Sequence, residues 1–508
     1  MEETWALARA TVLLAIVLIA FGLRLAHWGQ DRFLEDEALY SYWGLQIATG
    51  ADPMLNQEPV DKPPLHPYIL ALSFRIFEKN ETAARLPSLF ASVVSIALVF
   101  ALARELYGES NVGLLSALLL ALSPFDILFA STAFIDPLMT ALILGALLTA
   151  AKGRLGLAGL LIALAAAAKQ QGLFFLPLVI FVGWLSPHSR SPQGQSIMPG
   201  GTSSAADRIR SLWQVQWVRF ALGFAVVGAG VFWWDLAREQ RPGFLEQSFI
   251  SYGGLMLAAQ ASLGERASRW LRLVGTFWVS PWLNGLLLFG FALWPLGSLF
   301  GWWERPSKLD LGLGAFVVGF LGLHWLVGFQ VWDRYLLGLV PLLAILAARL
   351  IVAFGRTVRP RRWRRVYAIA VGLALVLLLT GPVQRATRSA LAAGGDHGAY
   401  DGIDEIAAFV EREVPQASVL YHHWLGYHFR YYLYGSPLRL HWYPDLEDLQ
   451  QDATVYRREP RYIAFPSWRD SLPAKKALAD SGILLKPVLE TTRRDGSVSF
   501  RLYRMEGP

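Results

Sequence analysis

The chain has 508 residues, of which 54% are hydrophobic and only 17% charged, with a formal net charge of +7. A soluble chain would carry charge on about a quarter of its residues, so this composition indicates a polytopic membrane protein. The chain contains no cysteine, which excludes disulfides, thiolate metal ligands and cysteine nucleophiles. Its densest basic cluster lies between two apolar runs, which favours the membrane over nucleic acid as a partner.

Eleven apolar runs predict about eleven transmembrane helices, since a helix needs about 17–25 mainly apolar residues to cross a bilayer. We interpret the first run as an uncleaved helix, because it carries Arg24 and lacks a small-residue cleavage site. The runs lie near residues 8–27, 85–106, 112–131, 136–151, 155–168, 172–186, 217–236, 277–300, 311–332, 335–354 and 367–383.

The sidedness of these helices follows from the segment GRTVRPRRWRR at 355–365, which holds six arginines. A short loop this basic is expected in the cytoplasm. Counting helices from this loop predicts a cytoplasmic N-terminus, an outer first loop at 28–84 and an extracytoplasmic C-terminus. The expected location is the plasma (inner) membrane, with several passes.

The first outer loop begins with the acidic stretch EDEALY, which contains Asp36, Glu37 and Tyr40. Asp36 and Tyr40 stand four residues apart, so they share one face if this stretch is helical. Two interpretations are open from the residues alone. The acids could belong to a solvated loop, or they could supply a catalytic carboxylate at the membrane surface.

Further along the same loop, QEPVDKPPL contains Asp61 and Lys62. The prolines at 63 and 64 fix the backbone and bias Lys62 away from a helix. A rigidly held cation near the bilayer surface could bind a phosphate. A proline turn flanked by solvated charges is the alternative.

Charged residues also mark the outer ends of later helices. Asp136 opens the run DPLMTALILGALL and could be a helix cap, and Lys169 follows LLIALAAAA and could extend to the membrane surface. In VWDRYLLGLVPLL, Arg334 could pair with Asp333, and Tyr335 could belong to an aromatic belt. Acids and bases beside membrane spans are nevertheless functional candidates when another charge can reach them.

Two other segments differ in composition from the helices. Residues 187–216 are rich in Ser, Gly and Pro and predict a flexible loop. From about residue 384 the charged fraction rises to the globular norm. One amphipathic helix pattern (DGIDEIAAFVERE) and three strand patterns (SVLYHH, RYIAFP, VSFRLYRM) predict a small extracytoplasmic α/β domain at 384–508, after a membrane domain at 1–383.

The outward-facing charges suggest chemistry on a phosphate-linked lipid. Carboxylates can deprotonate an acceptor or bind a divalent ion, and cations can stabilise a phosphate leaving group. No GxGxxG or GxxxxGK[ST] motif opens a helix, so no nucleotide cofactor is expected. Trp278 and Trp282 in WVSPWLNG could be belt residues or a platform on which a sugar stacks.

These motifs, in this order and spacing, resemble a known family. Asp36-Glu37, DKPPL at 61–65, ARLPS at 84–88, FIDPL at 134–138 and RYLL at 334–337 are similar to the polyprenyl-phosphate-dependent glycosyltransferases of the C-type fold. The nearest groups are bacterial relatives of protein O-mannosyltransferases and of lipid A aminoarabinose transferases. The resemblance is strongest over roughly the first 180 residues.

The resemblance implies an inverting membrane transferase that moves a sugar from a polyprenyl phosphate to an extracytoplasmic glycan, lipid or protein. Asp36 would be the general base and Glu37 would shape its pocket. Lys62 would contact the donor phosphate, and Asp61 stands where relatives carry a Glu that helps hold a divalent metal, so metal dependence is left open. Arg334 and Tyr335 match a site near the lipid phosphate or its sugar. Tyr40, Asp136 and Lys169 complete the expected substrate site.

Two other functions fit parts of the pattern. A transporter or flippase of lipid-linked sugars would explain the helices and the outward charges, but it would favour charges along a path through the membrane. A non-catalytic scaffold would leave Asp36, Lys62 and Asp136 without a role.

Overall fold

Long apolar helices form most of the chain up to residue 386. The computed structural model describes residues 2–186 and 205–507 except 27, 253, 255, 302 and 392, and for 2–5 and 205–213 it describes the backbone alone. The α-helices of this part are α1 (Glu2–Leu25), α2 (Glu35–Thr49), α3 (Leu65–Phe77), α4 (Glu81–Tyr107), α5 (Ser110–Ala121), α6 (Pro124–Ala130), α7 (Asp136–Ala151), α8 (Leu155–Ala168), α9 (Leu176–Leu185), α10 (Ala205–Ala237), α11 (Phe244–Tyr252), α12 (Leu263–Val274), α13 (Pro281–Leu299), α14 (Lys308–Leu326), α15 (Val340–Thr357) and α16 (Trp363–Ala386). Short 3₁₀ helices occupy Gln170–Phe175, Gln260–Ser262 and Asp333–Leu339.

Seven helices among the described residues are long and apolar enough to cross a membrane, or eight if α5 and α6, bent by 61°, form one span. Each of the eleven predicted runs falls on one of these spans or on a shorter apolar helix. The chain is therefore a multi-pass membrane protein. The number of crossings stays a prediction, because α7 and α8 have only 16 and 14 residues. The orientation of the chain in the membrane also stays a prediction.

The predicted flexible loop at 187–216 is wrong in part. Residues 187–204 lie outside the described residues, but α10 already begins at Ala205 and runs for 33 residues. The stretch AADRIRSLWQVQ contains neither Gly nor Pro, so nothing in it interrupts the helix. The polar residues before the apolar run therefore extend α10.

Close backbone contacts hold the short helices together. In the structure α8 crosses α10 so tightly that a Cβ atom on Gly159 would lie 2.1 Å from the carbonyl oxygen of Phe220. A Cβ atom on Gly223 would lie 2.3 Å from the carbonyl oxygen of Gly156. Small residues at a helix crossing are typical of membrane bundles, because they allow this approach. Since α7 packs against α4, α8 and the 3₁₀ helix at Asp333–Leu339, three chain segments converge near Asp136.

The C-terminal region forms a five-stranded sheet with helices on both faces. Its elements are α17 (Ile403–Glu413), β1 (Val419–His422), α18 (Gly426–Tyr432), β2 (Arg439–Trp442), α19 (Leu446–Val455), β3 (Arg461–Pro466), α20 (Leu472–Asp480), β4 (Leu484–Thr492) and β5 (Val498–Glu506). The strand order is β2-β1-β3-β5-β4, with β2, β1 and β3 parallel and β5 antiparallel to both of its neighbours. Strand residues alternate between two cores, one against α17 and α18 and one against α19 and α20.

The α/β fold predicted for this region is confirmed, including the helix over 403–413 and the strands at 419–422, 461–466 and 498–506. The patterns missed β2 and β4. The first has only four residues and the second is largely exposed, so neither shows a clear alternation. The boundary between residues 383 and 384 stays a prediction; α16 ends three residues later, at Ala386.

The sheet region is attached to the first loop through α18, which packs on α2. The imidazole Nε2 of His428 lies 2.8 Å from the carbonyl oxygen of Phe33, and the hydroxyl of Tyr432 donates to Glu81 at 2.6 Å. Arg494, in the turn between β4 and β5, donates to the carboxylate of Asp31 at 2.9 Å. These contacts fix the sheet region beside the acidic stretch that begins α2.

Candidate active site

The three consecutive acids at the start of α2 have three different partners. The carboxylate of Glu35 accepts a hydrogen bond from the Tyr400 hydroxyl at 2.8 Å. Glu37 is fully buried and accepts from the backbone N–H groups of Leu34 (3.0 Å) and Ala133 (2.7 Å). Asp36 alone of the three is paired with Arg334. Consecutive residues of an α-helix point in different directions, so these three acids contact three different regions of the protein.

The ion pair of Asp36 with Arg334 joins the first loop to the segment before α15. The Arg334 guanidinium also lies 5.0 Å from the ring centre of Phe134, and 11% of its side chain is exposed against 36% for Asp36. Burial alone would raise the pKa of the Asp36 carboxyl group, but Arg334 and then Lys62 outweigh burial and hold it below its ordinary value. Asp36 is therefore ionised at neutral pH, and its carboxylate is partly accessible.

The alternative pairing of Arg334 with Asp333 is wrong. The Asp333 carboxylate accepts from the backbone N–H of Arg334 at 2.7 Å and from that of Gly394 at 3.0 Å. It thereby fixes the backbone at the start of the 3₁₀ helix and leaves the guanidinium free to reach Asp36. The ring of Tyr335, the next residue, instead contacts the ammonium of Lys169.

Lys62 lies just before α3, outside any helix, as the following prolines predict. Its ammonium is 2.7 Å from the carboxylate of Asp61 and donates to the hydroxyl of Tyr252. The same ammonium lies 4.5 Å from the centre of the Tyr252 ring. Burial and then the Asp61 carboxylate raise the pKa of the Tyr252 hydroxyl, so it stays protonated. Lys62 is thus a buried, oriented cation and not a solvated loop residue.

Lys169 forms the third cation pair. It follows α8, and its ammonium lies 2.5 Å from the carboxylate of Asp136 and 4.6 Å from the ring centre of Tyr335. Both Asp136 and Lys169 are buried, so Lys169 does not extend to the membrane surface. Asp136 forms no side-chain cap, since Ile135 holds the cap position. The cap and surface interpretations of these two residues are therefore wrong.

The three cations border one cavity of about 250 Å³. Lys62, Lys169 and Arg334 line it together with Tyr40 and Tyr335, and the rest of the wall is largely apolar, including Leu173, Phe174, Leu245, Phe249 and Phe329. The carboxylates of Asp61, Asp136 and Asp36 stand behind the three cations as their partners. Such a cavity fits an amphiphilic anion, with the charge at the cations and the hydrocarbon along the apolar wall.

Glu37 lies near the cavity without lining it. The carboxylate of Glu37 is turned toward Ala133 and lies 3.8 Å from the guanidinium of Arg85. This contact ties α2 to the segment before α7, so Glu37 positions the helix that carries Asp36. Tyr40 lies one turn after Asp36, as predicted, and packs edge-on against His66.

Several lining residues were not identified from the sequence. Tyr252 and Ser248 come from α11, whose stretch FLEQSFISY has no distinctive pattern. Gln170 donates to the carbonyl oxygen of Asp61 at 2.7 Å, and Gln171 donates to that of Tyr335 at 3.0 Å. The only available signal was their position beside Lys169 in KQQG. A Cβ atom on the adjoining Gly172 would lie 2.6 Å from the backbone of Ala165, so the tight turn that places them needs glycine.

The described residues contain no group of three or more His, Asp or Glu side chains that could hold a metal ion. Each carboxylate beside the cavity is already paired with a cation, as Asp61 is with Lys62. Neighbouring cations make these carboxylates poor ligands for a divalent ion. The described residues beside the cavity therefore do not fit a metal site.

Comparisons with known proteins found a matching family model and structures of the same fold. Residues 61–197 match the family model described as dolichyl-phosphate-mannose-protein mannosyltransferase. A search of curated proteins found no match. The matched segment contains Asp61, Lys62, Asp136 and Lys169, and therefore two of the three cation pairs.

Solved structures with a similar fold include two of ArnT from Cupriavidus metallidurans. One is bound to undecaprenyl phosphate and is 15% identical, and the other is in the apo state and is 16% identical. Both have a TM-score of 0.63 and cover 99% of this chain and 98% of the other. The resemblance and the fold inferred from the sequence motifs are confirmed: the chain has the fold of ArnT, and its residues 61–197 match the mannosyltransferase family model.

Proposed function

We propose that the protein is an inverting membrane glycosyltransferase that moves a sugar from a polyprenyl-phosphate carrier to an acceptor outside the cytoplasm. The observation that carries this proposal is the convergence of Lys62, Lys169 and Arg334 on one largely apolar cavity. A lipid-linked sugar phosphate has the two properties that such a cavity recognises, an anionic phosphate and a long hydrocarbon. The fold shared with ArnT, one structure of which binds undecaprenyl phosphate, supports the same donor class.

The pairing of the charges around the cavity indicates which cation the donor phosphate reaches most easily. Three cations are opposed by three carboxylates, so the empty site is close to neutral. Lys169 is paired with the buried Asp136, and Lys62 is held between Asp61 and Tyr252. The Asp36 carboxylate is the most accessible of the three. The donor phosphate therefore competes most easily for Arg334.

This exchange would prepare Asp36 as the general base. In the free protein Arg334 keeps the pKa of Asp36 low, which makes its carboxylate a weak base. When Arg334 turns to the phosphate, the attraction that lowers this pKa weakens and the nearby phosphate charge raises it. Asp36 then becomes more basic only when the donor is in place.

The reaction is a single displacement. The acceptor hydroxyl oxygen attacks the anomeric carbon while Asp36 takes its proton. The bond from that carbon to the phosphate oxygen breaks, and its electron pair leaves with the polyprenyl phosphate. Lys62 and Arg334 stabilise the charge that grows on that oxygen. Asp61 and Asp136 stay engaged with their lysines, so neither of them is available as a nucleophile, which favours inversion.

The orientation of the protein belongs to this proposal. The basic loop at 355–365 begins at the end of α15, whereas Arg334 precedes the start of this helix. Placing the arginine-rich loop in the cytoplasm puts the cavity at the outer face. The proposed location is the plasma (inner) membrane, and the acceptor is an extracytoplasmic glycan, lipid or protein.

The test uses purified protein in liposomes with a panel of polyprenyl-phosphate sugars. We expect wild type to release free polyprenyl phosphate from at least one donor, by transfer or slow hydrolysis. Asp36→Asn should slow this release by about 10²–10⁴-fold, the usual contribution of a general base. Glu246→Gln, an exposed acid on α11, is the matched control and should keep the wild-type rate.

A transporter would give the opposite pattern. Wild type and Asp36→Asn would then leave every donor intact and move it between the leaflets equally well. That result would replace the transferase by a flippase of lipid-linked sugars.

A further inference from the structure

Three exposed tryptophans lie at one edge of the C-terminal sheet. Trp442 ends β2, Trp424 follows β1 by two residues, and Trp468 follows β3 by two residues. These three strands are neighbours and parallel, so their carboxyl ends meet at the same edge. The tryptophans are 57%, 43% and 36% exposed, respectively. Ligands of open α/β sheets bind outside the carboxyl ends of the strands, which is where these rings lie.

The rings form one connected row, which we call the tryptophan edge (Trp442, His423, Trp424, Arg469 and Trp468). The His423 ring is nearly parallel to that of Trp442, at 15° and 6.4 Å between centres, and lies 4.8 Å from that of Trp424. The guanidinium of Arg469 lies 4.4 Å from the ring centre of Trp424 and 5.6 Å from that of Trp468. An exposed aromatic row with polar members is unlike the scattered apolar residues of an ordinary surface.

This row leads to the candidate active site. The ring of Trp468 lies 6.0 Å from that of Tyr400, edge-on, and the hydroxyl of Tyr400 donates to Glu35. Glu35 directly precedes Asp36 in the chain. On the other side of Trp424, α18 begins two residues later and packs on α2. The tryptophan edge is thus continuous with the helix that carries the proposed base.

We propose that the tryptophan edge binds a saccharide and thereby holds the acceptor beside Asp36. Indole faces pack against the C–H faces of sugar rings, and the side chains of Arg469 and His423 can hydrogen-bond the hydroxyl groups. The inference rests on the proposed transferase function, because it gives the acceptor of that reaction a chemical class. An acyl chain would instead need a continuous apolar groove, whereas this row alternates rings with a cation and an imidazole.

Trp278 and Trp282, the two tryptophans of the membrane part that the sequence suggested as a sugar platform, do not form such an exposed aromatic row. Trp278 is buried, and its indole N–H donates to the carbonyl oxygen of Leu119 at 3.2 Å. Trp282 is 76% exposed near the start of α13, a candidate membrane span. The sugar-platform interpretation of WVSPWLNG is therefore wrong for Trp278, and Trp282 suits a lipid-facing position.

The experiment measures saccharide binding to the full-length protein in nanodiscs without any donor. The probes are immobilised α-mannotriose, chitotriose and trigalacturonate, with a lysine-rich peptide and the sugar-free lipid phosphatidylglycerol as probes of the other acceptor classes. Wild type should bind at least one saccharide. Trp424→Ala and Trp468→Ala should each weaken that binding by about tenfold, as expected for removal of a stacking ring.

The matched control is Tyr456→Ala. Tyr456 likewise has an arginine over its ring: the Arg439 guanidinium lies 3.7 Å from the ring centre. Arg439 begins β2, so this pair lies at the opposite edge of the sheet. Tyr456→Ala should bind the saccharide as wild type does. If Trp424→Ala does not fold, the more exposed Trp442→Ala replaces it.

Donor turnover separates this proposal from the transferase itself. The tryptophan variants should hydrolyse the donor without acceptor at the wild-type rate, whereas Asp36→Asn should not. Equal saccharide binding by wild type and the tryptophan variants, no binding of any saccharide, or tryptophan-dependent binding of the peptide or lipid alone would each overturn the platform. None of these results would affect donor hydrolysis, on which the transferase depends.

Discussion

Among the charge clusters in the described membrane part of the protein, two that each contain a buried cation differ in one respect. The cavity cluster consists of Lys62, Lys169 and Arg334 with their partners Asp61, Asp136 and Asp36. The Arg349 cluster consists of Arg349, Arg356, Glu109, Glu304 and Asp310. Arg349 donates to Glu304 at 2.8 Å and lies 3.7 Å from Asp310, and Arg356 donates to Glu304 at 2.9 Å. Both clusters match cations with carboxylates.

The difference lies in what the cations face. The guanidinium of Arg349 is enclosed by carboxylates and by the rings of Tyr107 and Trp294, at 5.3 and 5.9 Å, and the cluster joins α4, α13, α14 and α15. Each cation of the cavity cluster has a carboxylate on one side and the cavity on the other. A buried charge in a membrane protein is therefore no sign of a binding site by itself. A site needs a cation that a ligand can still reach.

The largest expected effect is on folding, from Arg349→Met. Removing the buried guanidinium leaves the buried Asp310 without its cation, whereas Glu304 keeps Arg356, and an uncompensated buried charge costs about 3–5 kcal/mol of unfolding free energy. Thermal unfolding in detergent should show a clear fall of the midpoint. Donor turnover per folded molecule should be unchanged; a loss of turnover at full folding would assign Arg349 to the site.

Lys62→Gln should instead lower donor turnover rather than the stability of the fold. Its ammonium is proposed to stabilise the leaving phosphate, so its loss should slow donor turnover by about 10²–10³-fold, as for loss of one donor to a developing anion. Lys152→Gln, in the exposed turn between α7 and α8, is the matched control. An unaltered rate for Lys62→Gln, with the donor still cleaved, would remove Lys62 from the mechanism.

Arg334→Gln should change the pH dependence of the reaction. Burial would then raise the pKa of Asp36 with only Lys62 and Lys169 opposing it, so the acid limb of kcat/KM should move up by about one to three units. In wild type the lowered pKa means that the ion pair contributes stability above the ordinary pKa of Asp and loses it only as the pH falls through the lowered value. The unfolding midpoint should therefore show no Asp36-dependent change between about pH 5 and 8. An acid limb at the same pH in both proteins would exclude Asp36 as the titrating base.

Tyr252→Phe should have the smallest effect. It removes only the hydroxyl that accepts a hydrogen bond from Lys62 and keeps the ring beneath the ammonium. Loss of one such bond is worth about 0.5–1.5 kcal/mol, so turnover should fall by about three- to tenfold. The hydroxyl of Tyr367 donates to the carbonyl oxygen of Ile351, and Tyr367 does not line the cavity. Tyr367→Phe should therefore leave donor turnover unchanged. An equal loss in both variants would mean that the effect is not specific to the site.

Much of the cavity cluster could be predicted from sequence because charges next to apolar runs are rare and can be assigned to a side of the membrane. Asp36, Lys62, Lys169 and Arg334 were all singled out in this way. Their pairing could not be predicted. Arg334 lies next to Asp333 in the chain, yet its partner Asp36 is 298 residues away. They meet because Glu37 ties α2 to Ala133, just before α7, and α7 packs against the 3₁₀ helix that carries Arg334.

The remaining lining residues and the tryptophan edge of the sheet could not be predicted from sequence patterns. Tyr252 lies in a stretch of α11 without a distinctive sequence pattern. Its role follows from its contact with the ammonium of Lys62, which the sequence does not show. The tryptophan edge depends on strand order, because Trp424, Trp442 and Trp468 follow or end three different strands and meet only where these parallel strands align their ends. Side-chain chemistry is visible in a sequence, but the convergence of distant segments is not.

The most direct test of the central claim is the binding of undecaprenyl phosphate to the cavity cluster and not to the Arg349 cluster. Affinity would be measured in nanodiscs for wild type, Lys62→Gln, Arg334→Gln and Arg349→Lys, each confirmed as folded. We predict that the first two variants bind the lipid phosphate at least about tenfold more weakly, the loss of one charge-assisted contact, and that Arg349→Lys binds as wild type does. Equal affinity in all four proteins, or a loss confined to Arg349→Lys, would contradict the account.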